Sequence, residues 1–293
     1  MSDRVLTFHR VFCAAIVLLV SLGAATRAMN AGLACPDWPL CFGDFIPDYH
    51  PQVYFEFIHR ALAGLIAIAA VGLNVLIFKS KIVSKNIKIL AGVSLFLLAV
   101  QVVMGGLTVL LQLQDKIVTG HLALGTGFFA VSFWIYLTLE FQKKFAGTPY
   151  SSQAKWPSLI LLVAVYGQIL LGGFVASNYA ALACTDFPLC LGEFIPTLSG
   201  AVGIHVIHRL GAYTLTVIVA GVFLYVNKKV QCPVARRWVA ATLIVLLLQI
   251  ALGVANILYY IPPLLTVLHS MVATLLLGTA VRLVRLSTYL KAT

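Results

Sequence analysis

Acidic residues are scarce in this chain. It holds 9 Asp and Glu against 20 Lys and Arg, and charged residues of both signs make up only 10% of its 293 residues. Soluble domains carry about 25%. That shortage excludes a soluble enzyme, a disordered chain and a nucleic-acid-binding domain, each of which needs more polar surface than this sequence has. Clustered thiolates and carboxylates are also too few, in either half, for a four-ligand zinc site. What is abundant is apolar: 61% of the residues, with a mean hydropathy of +1.00.

The apolar residues gather into eight segments, near 11–30, 54–78, 89–111, 118–139, 157–178, 201–226, 238–258 and 264–284. Each approaches the roughly 20 residues needed to cross a bilayer. The reading is therefore an all-α, polytopic membrane protein with eight transmembrane helices. No small-residue cleavage site follows the first segment, which argues against a removable signal peptide.

Basic residues set the orientation. All but four of the 20 Lys and Arg, from Arg4 and Arg10 at the start to Arg282, Arg285 and Lys291 at the end, fall on one side of the eight segments. That side is expected to be cytoplasmic, with both termini inside, in a bacterial inner membrane. The net charge of +11 is then a topology signal, and no nucleic-acid partner is expected. The four exceptions, Arg27, Arg60, Lys116 and Arg209, lie at outer ends or in outer loops. Lys116 is expected beside Asp115 in a short solvated loop.

The two halves repeat. Residues 31–47 read AGLACPDWPLCFGDFIP and residues 180–196 read AALACTDFPLCLGEFIP, an offset of 149. The same offset carries His59-Arg60 onto His208-Arg209. An offset of 148 carries Gln101 onto Gln249 and His121 onto His269. Each repeat holds an even number of spans, so both halves insert the same way. Two pseudo-symmetric four-helix bundles, 1–148 and 149–293, are expected to form a parallel repeat.

Histidines mark the even spans. His59, His121, His208 and His269 recur one per even span near the outer end, with His205 as an extra in the sixth. His9 and His50 are expected outside the spans. Ionisable groups inside a membrane are costly and mark function by default. A lone histidine is more simply a bond to a neighbouring helix. Four at similar depth with repeat symmetry favour a ligand role, and a bis-His haem needs only one imidazole from each side of an apolar slot. Pairing His59 with His121 and His208 with His269 gives two haem sites near the outer face. Arg60 and Arg209 each follow a ligand. Two roles stand open for them: pairing with haem propionates, or reaching to outer headgroups.

The halves differ at one position. Glu56 lies opposite His205 in the repeat, three residues before the ligand. It is the acidic residue placed inside a span beside a haem candidate, and the second half has no counterpart. A carboxylate there could move protons. A plainer alternative is a first-turn carboxylate favouring the helix dipole. Cys35 and Cys41, and again Cys184 and Cys190, bracket five residues in outer loops. Local disulfides Cys35–Cys41 and Cys184–Cys190 suit an oxidising compartment, and a redox relay is the alternative. Gly23, Gly105, Gly106, Gly172, Gly173 and Gly253 fall within spans, where close helix packing accounts for them.

Glu56-x-x-His59-Arg60, His208-Arg209, His121, His269 and the two C-x₅-C loops ending Pro-Leu-Cys together resemble the haem A synthase family, in its bacterial form with two cysteine pairs. The resemblance spans nearly the whole chain. It implies that the first bundle binds haem O as substrate through His59 and His121, and that the second holds haem b through His208 and His269. It implies oxidation of a porphyrin methyl group to formyl by successive hydroxylations, with Glu56 as the catalytic carboxylate. Haem O would be handed over by haem O synthase, electrons would pass to an acceptor the sequence does not identify, and haem A would go to cytochrome c oxidase assembly. Membrane lipid surrounds the chain, and a homo-oligomer is compatible with it. Two rivals share the ligand pattern: a quinol-linked dihaem b electron-transfer protein, and a chaperone that delivers haem unmodified.

Overall fold

The computed structural model describes residues 3–144, 154–230 and 232–289. Lys291 and the expected boundary between the halves at 148 and 149 lie outside these residues. The described residues form eight long helices: α1 (Asp3–Ala28), α2 (Pro51–Lys79), α3 (Lys85–Leu110), α4 (Asp115–Lys144), α5 (Lys155–Ser177), α6 (Gly200–Lys229), α7 (Pro233–Leu258) and α8 (Pro263–Tyr289). All eight are long and apolar enough to cross a membrane. A helix is the natural form for such segments, because hydrocarbon offers no partner to an unbonded backbone amide.

Most helices run beyond the apolar segments that signal them, because backbone hydrogen bonding continues after hydropathy falls. Three expectations change as a result. Asp115 and Lys116 are not in a loop; they open α4, where Asp115 in the first turn suits the positive helix end. His9 is not outside a span but buried in α1, its Nδ1 2.9 Å from Val5 O. Because α2 begins at Pro51, Glu56 lies past the first turn, which holds no acidic residue. The dipole account of Glu56 loses its footing there. Proline at the start of α2 and of α7 sets these early boundaries, since the first helical N–H has no intrahelical acceptor to lose.

The chain forms two compact units, residues 1–136 with 262–271, and residues 137–261 with 272–293. In the first, α2 lies against α1 and α3; in the second, α6 lies against α5 and α7. Large apolar side chains such as Leu65, Ile68, Phe96, Val163, Val217 and Ile244 stay exposed, as lipid-facing helix surfaces require. In the second unit, the Arg282 guanidinium stacks 4.2 Å from the Trp238 ring centroid and lies 3.2 Å from Glu140 Oε2.

The repeated sequence becomes a repeated loop, once per unit. Disulfides join Cys35 to Cys41 and Cys184 to Cys190. Each loop carries a cis proline, after Trp38 and after Phe187, and a two-residue bridge, Cys41 with Asp44 and Cys190 with Glu193. Phe42-Gly43 and Leu191-Gly192 all adopt positive φ, which glycine tolerates at no cost. The aspartates hold these turns. Asp37 accepts from the N–H groups of Phe42 at 2.7 Å and Gly43 at 2.8 Å. Asp186 does the same for Leu191 at 3.0 Å and Gly192 at 3.1 Å.

These bonds, led by that from the glycine N–H, hold both carboxyls below their ordinary value of 3.8. A carboxylate with a lowered folded pKa supports its turn at any pH above the ordinary value. That support is lost only as pH falls through the lower, folded value. In carbon-13-labelled protein, the Asp37 and Asp186 carboxyl signals should titrate below 3.8. Midpoints at or above it would show the turns are held otherwise.

Candidate functional site

Near their N-terminal ends α2, α4 and α8 place one histidine each, and α6 places two, His205 and His208. In the first unit, His59 on α2 lies against α1 at Gly23. A methyl group added there would come 3.0 Å from the ring's Cε1. His121 on α4 lies against α3 at Gly105 in the same way, at 3.2 Å. The two imidazoles are close enough to interact electrostatically. Nδ1 of each is buried with no hydrogen-bond partner. Unmet buried ring nitrogens are costly in a core, and in the first unit each of the two imidazoles keeps one. Gln101 on α3 lies beside them, its Nε2 3.3 Å from His121 Nε2.

In the second unit, His208 on α6 lies against α5 at Gly172, where an added methyl would come 3.1 Å from Cε1. Gly23 and Gly172 are repeat mates, so the same glycine serves the same histidine in each unit. Here the ring has a partner: the Gln168 side-chain nitrogen is 3.0 Å from His208 Nδ1 and donates to the His208 carbonyl at 2.8 Å. His269 is on α8.

Glu56 is buried at 4% exposure. Its Oε2 accepts the Cys35 N–H at 2.9 Å, and its Oε1 pairs with Arg60 one helical turn on. Arg60 also donates to the carbonyls of Leu40 at 2.6 Å, Asp37 at 2.7 Å and Cys35 at 3.4 Å. The carboxylate is thus tied to the disulfide loop from below, and the arginine closes the loop over it. Arg209 repeats the loop contacts with Leu189 O at 2.6 Å and Cys184 O at 2.9 Å. Its Nε is buried and unpartnered. Asp186 lies near enough to Arg209 to act on its charge, but among the described residues no ion pair like that of Glu56 with Arg60 forms there. His205 takes the position of Glu56 and bonds Ala180 O through Nδ1 at 2.9 Å. That contact gives His205 a local structural use and leaves His208 as the ring set against Gly172.

Among the described residues, no group of three or more His, Cys, Asp or Glu could hold a metal ion by itself. Paired imidazoles are what the site offers.

A family model described as "Cytochrome oxidase assembly protein", COX15-CtaA, matches residues 7–281. The chain belongs to this family. Among curated relatives, the heme A synthase of Shewanella oneidensis is 29% identical, over 90% of this chain and 91% of its own. That of Shouchella clausii is 31% identical, over 94% and 95%. That of Symbiobacterium thermophilum is 30% identical, over 88% and 87%. The similarity therefore covers both repeats of this cytochrome oxidase assembly family member.

Three parts of the site escape a sequence reading. Gly23, Gly105 and Gly172 read as helix-packing glycines; the structure shows that what they pack against is the histidine rings. Gln101 is visible as a repeated residue but carries no role without its contact to His121. Gln168 gives no repeat signal at all, since Leu19 stands at the corresponding position. A search for glycines at the same offset as the histidines would have found Gly23 and Gly172.

Proposed function

We propose that this multi-pass membrane protein is a haem A synthase, an oxidoreductase that converts haem O to haem A for cytochrome oxidase assembly. The observation that carries the reading is in the first unit: two buried imidazoles, His59 and His121, share that unit with the buried carboxylate Glu56. Family membership over residues 7–281 supports it. His59 and His121 would hold the substrate haem O. By repeat register, His208 and His269 would hold a resident haem b, which supplies one-electron transfer when bound. The residues fit a haem: two imidazoles, His59 and His121, each with a ring nitrogen the fold leaves unbonded, and glycines that leave room for the rings. The unpartnered Arg209 Nε leaves a donor for a propionate in the second site.

The chain's own groups would act as follows. The imidazoles fix the porphyrin in the apolar slot. Glu56, held in place by the Cys35 N–H and Arg60, accepts a proton at Oε1 or Oε2 as the methyl carbon of the substrate is oxidised. Arg60 orients the carboxyl group through a charge-assisted hydrogen bond. The loop covers the carboxylate and limits water. The termini and the basic loops would face the cytoplasm, and both haem sites the outer face, where the two disulfides persist. Haem O synthase would supply the substrate. The half-specificity of Glu56 favours this reading over a dihaem electron-transfer protein or a haem-delivery chaperone, since neither needs a carboxylate in one unit only.

Expression in a bacterium that makes haem O but has lost its own haem A synthase tests the proposal. Haem A, and the reduced band of an a-type oxidase, should return to its membranes. Membranes that hold the expressed chain but still only haem O and haem B would overturn it. The glycines make a further expectation. Gly23→Ala crowds the His59 ring and should shift or broaden the spectrum of the first-unit haem while leaving the other haem unchanged. Identical spectra for both haems would show that Gly23 merely packs helices.

A further inference from the structure

The two units treat equivalent imidazoles differently, and the difference lies in one slot. In the second unit the Gln168 amide lies 3.0 Å from His208 Nδ1. In the first unit the same atom of His59 is buried without a partner. The cause is legible in the repeat. Gln168 is one turn before Gly172, and its repeat mate Leu19 is one turn before Gly23; these four residues occupy matching faces of α5 and α1. The amide also needs room on α6. A methyl group at Gly211 would collide with Gln168 Oε1. The repeat mate of Gly211 is Leu62. The second unit therefore carries both halves of an amide slot, glutamine and glycine, where the first carries two leucines.

We propose that Gln168 is a positioning residue for His208, and that it makes the haem held by His208 the firmly held one of the two. This rests on the haem-ligand reading above. An iron-bound imidazole carries its proton on the nitrogen away from the metal, and an acceptor for that proton fixes the ring and raises its donor strength. An amide serves the ring in both states. Its N–H donates to a bare Nδ1, and its oxygen, after rotation of the terminal torsion, accepts from Nδ1–H. Leucine does neither. His59 is left a weaker and less oriented ligand, which suits a haem that must arrive as substrate and leave as product. The unit with leucine in place of Gln168 is the unit holding Glu56, so exchange and chemistry fall on the same side.

The test uses the purified full-length chain with its bound haems, resolved by redox titration. The component absent from His208→Ala marks the haem held by His208. Gln168→Leu should weaken retention of that haem by about 10- to 100-fold in competition with apomyoglobin and raise its reduction potential, while the other haem keeps both properties. Gln168→Glu should retain the haem and lower its potential, because a carboxylate is the stronger acceptor. Unchanged retention and potential in both variants would overturn the proposal while leaving the haem reading intact. Equal losses of both haems in Gln168→Leu would overturn it too, since the effect would not run through His208. A wild-type chain without histidine-ligated haem would instead bring down the haem reading itself.

Discussion

Glu56→Gln should abolish conversion of haem O to haem A while the purified chain keeps its haems. The expected loss is about a hundredfold to ten-thousandfold, the range for removing a positioned proton acceptor. The variant separates chemistry from structure. Glutamine preserves volume and an oxygen for the Cys35 N–H, now 2.9 Å from Oε2. Arg60 loses its charged partner but keeps the carbonyls of Asp37, Leu40 and Cys35, so the loop stays closed. Haem O should accumulate, bound and unmodified. Glu56→Asp keeps the charge but shortens the reach to Cys35 and should fall between the two. Full conversion by Glu56→Gln would remove Glu56 from the chemistry and leave it as a loop fastener.

Histidine substitutions should divide the haems. His208→Ala is expected to remove the low-spin haem b signal and leave the first unit able to bind its haem. His59→Ala should do the reverse, with an affinity loss above the roughly 10- to 100-fold typical of an outer partner, because the residue proposed to hold the haem is itself gone. The glycine contacts explain why substitution rather than rearrangement should follow. With Gly23 against the His59 ring and Gly172 against the His208 ring, each imidazole is held against a neighbouring helix. No other histidine of α2 can step in. On α6, His205 is already bonded to Ala180 O. Absorption and electron paramagnetic resonance spectra of the two variants decide the matter. Loss of both haems from either variant would contradict independent sites.

The sequence reveals most of this architecture for physical reasons. A bilayer imposes a length and a composition on every span, and eight apolar segments meet both. A duplicated chain shows its pairs: His59 with His208, Arg60 with Arg209, and two cysteine loops whose backbone turns coincide down to the positive φ at Phe42 and Leu191. What stays hidden is whatever the repeat does not share or hydropathy cannot measure. Helix ends run past the apolar windows, which moved Asp115 from a loop into α4 and Glu56 out of the first turn of α2. Arg60 and Arg209 look like anion partners in sequence, yet most of their bonds go to loop carbonyls, an arrangement only tertiary contact reveals. Gln168 sits in an otherwise apolar helix, and its importance appears only beside His208.

The most direct measurement is the haem content of the purified chain. It should be expressed in cells that make haem O but lack their own haem A synthase, and its haems extracted and separated by chromatography and mass. The account predicts haem A or its hydroxylated precursor together with haem B. Two haem B per chain, with haem O available in the same membranes, would contradict it and point to electron transfer alone.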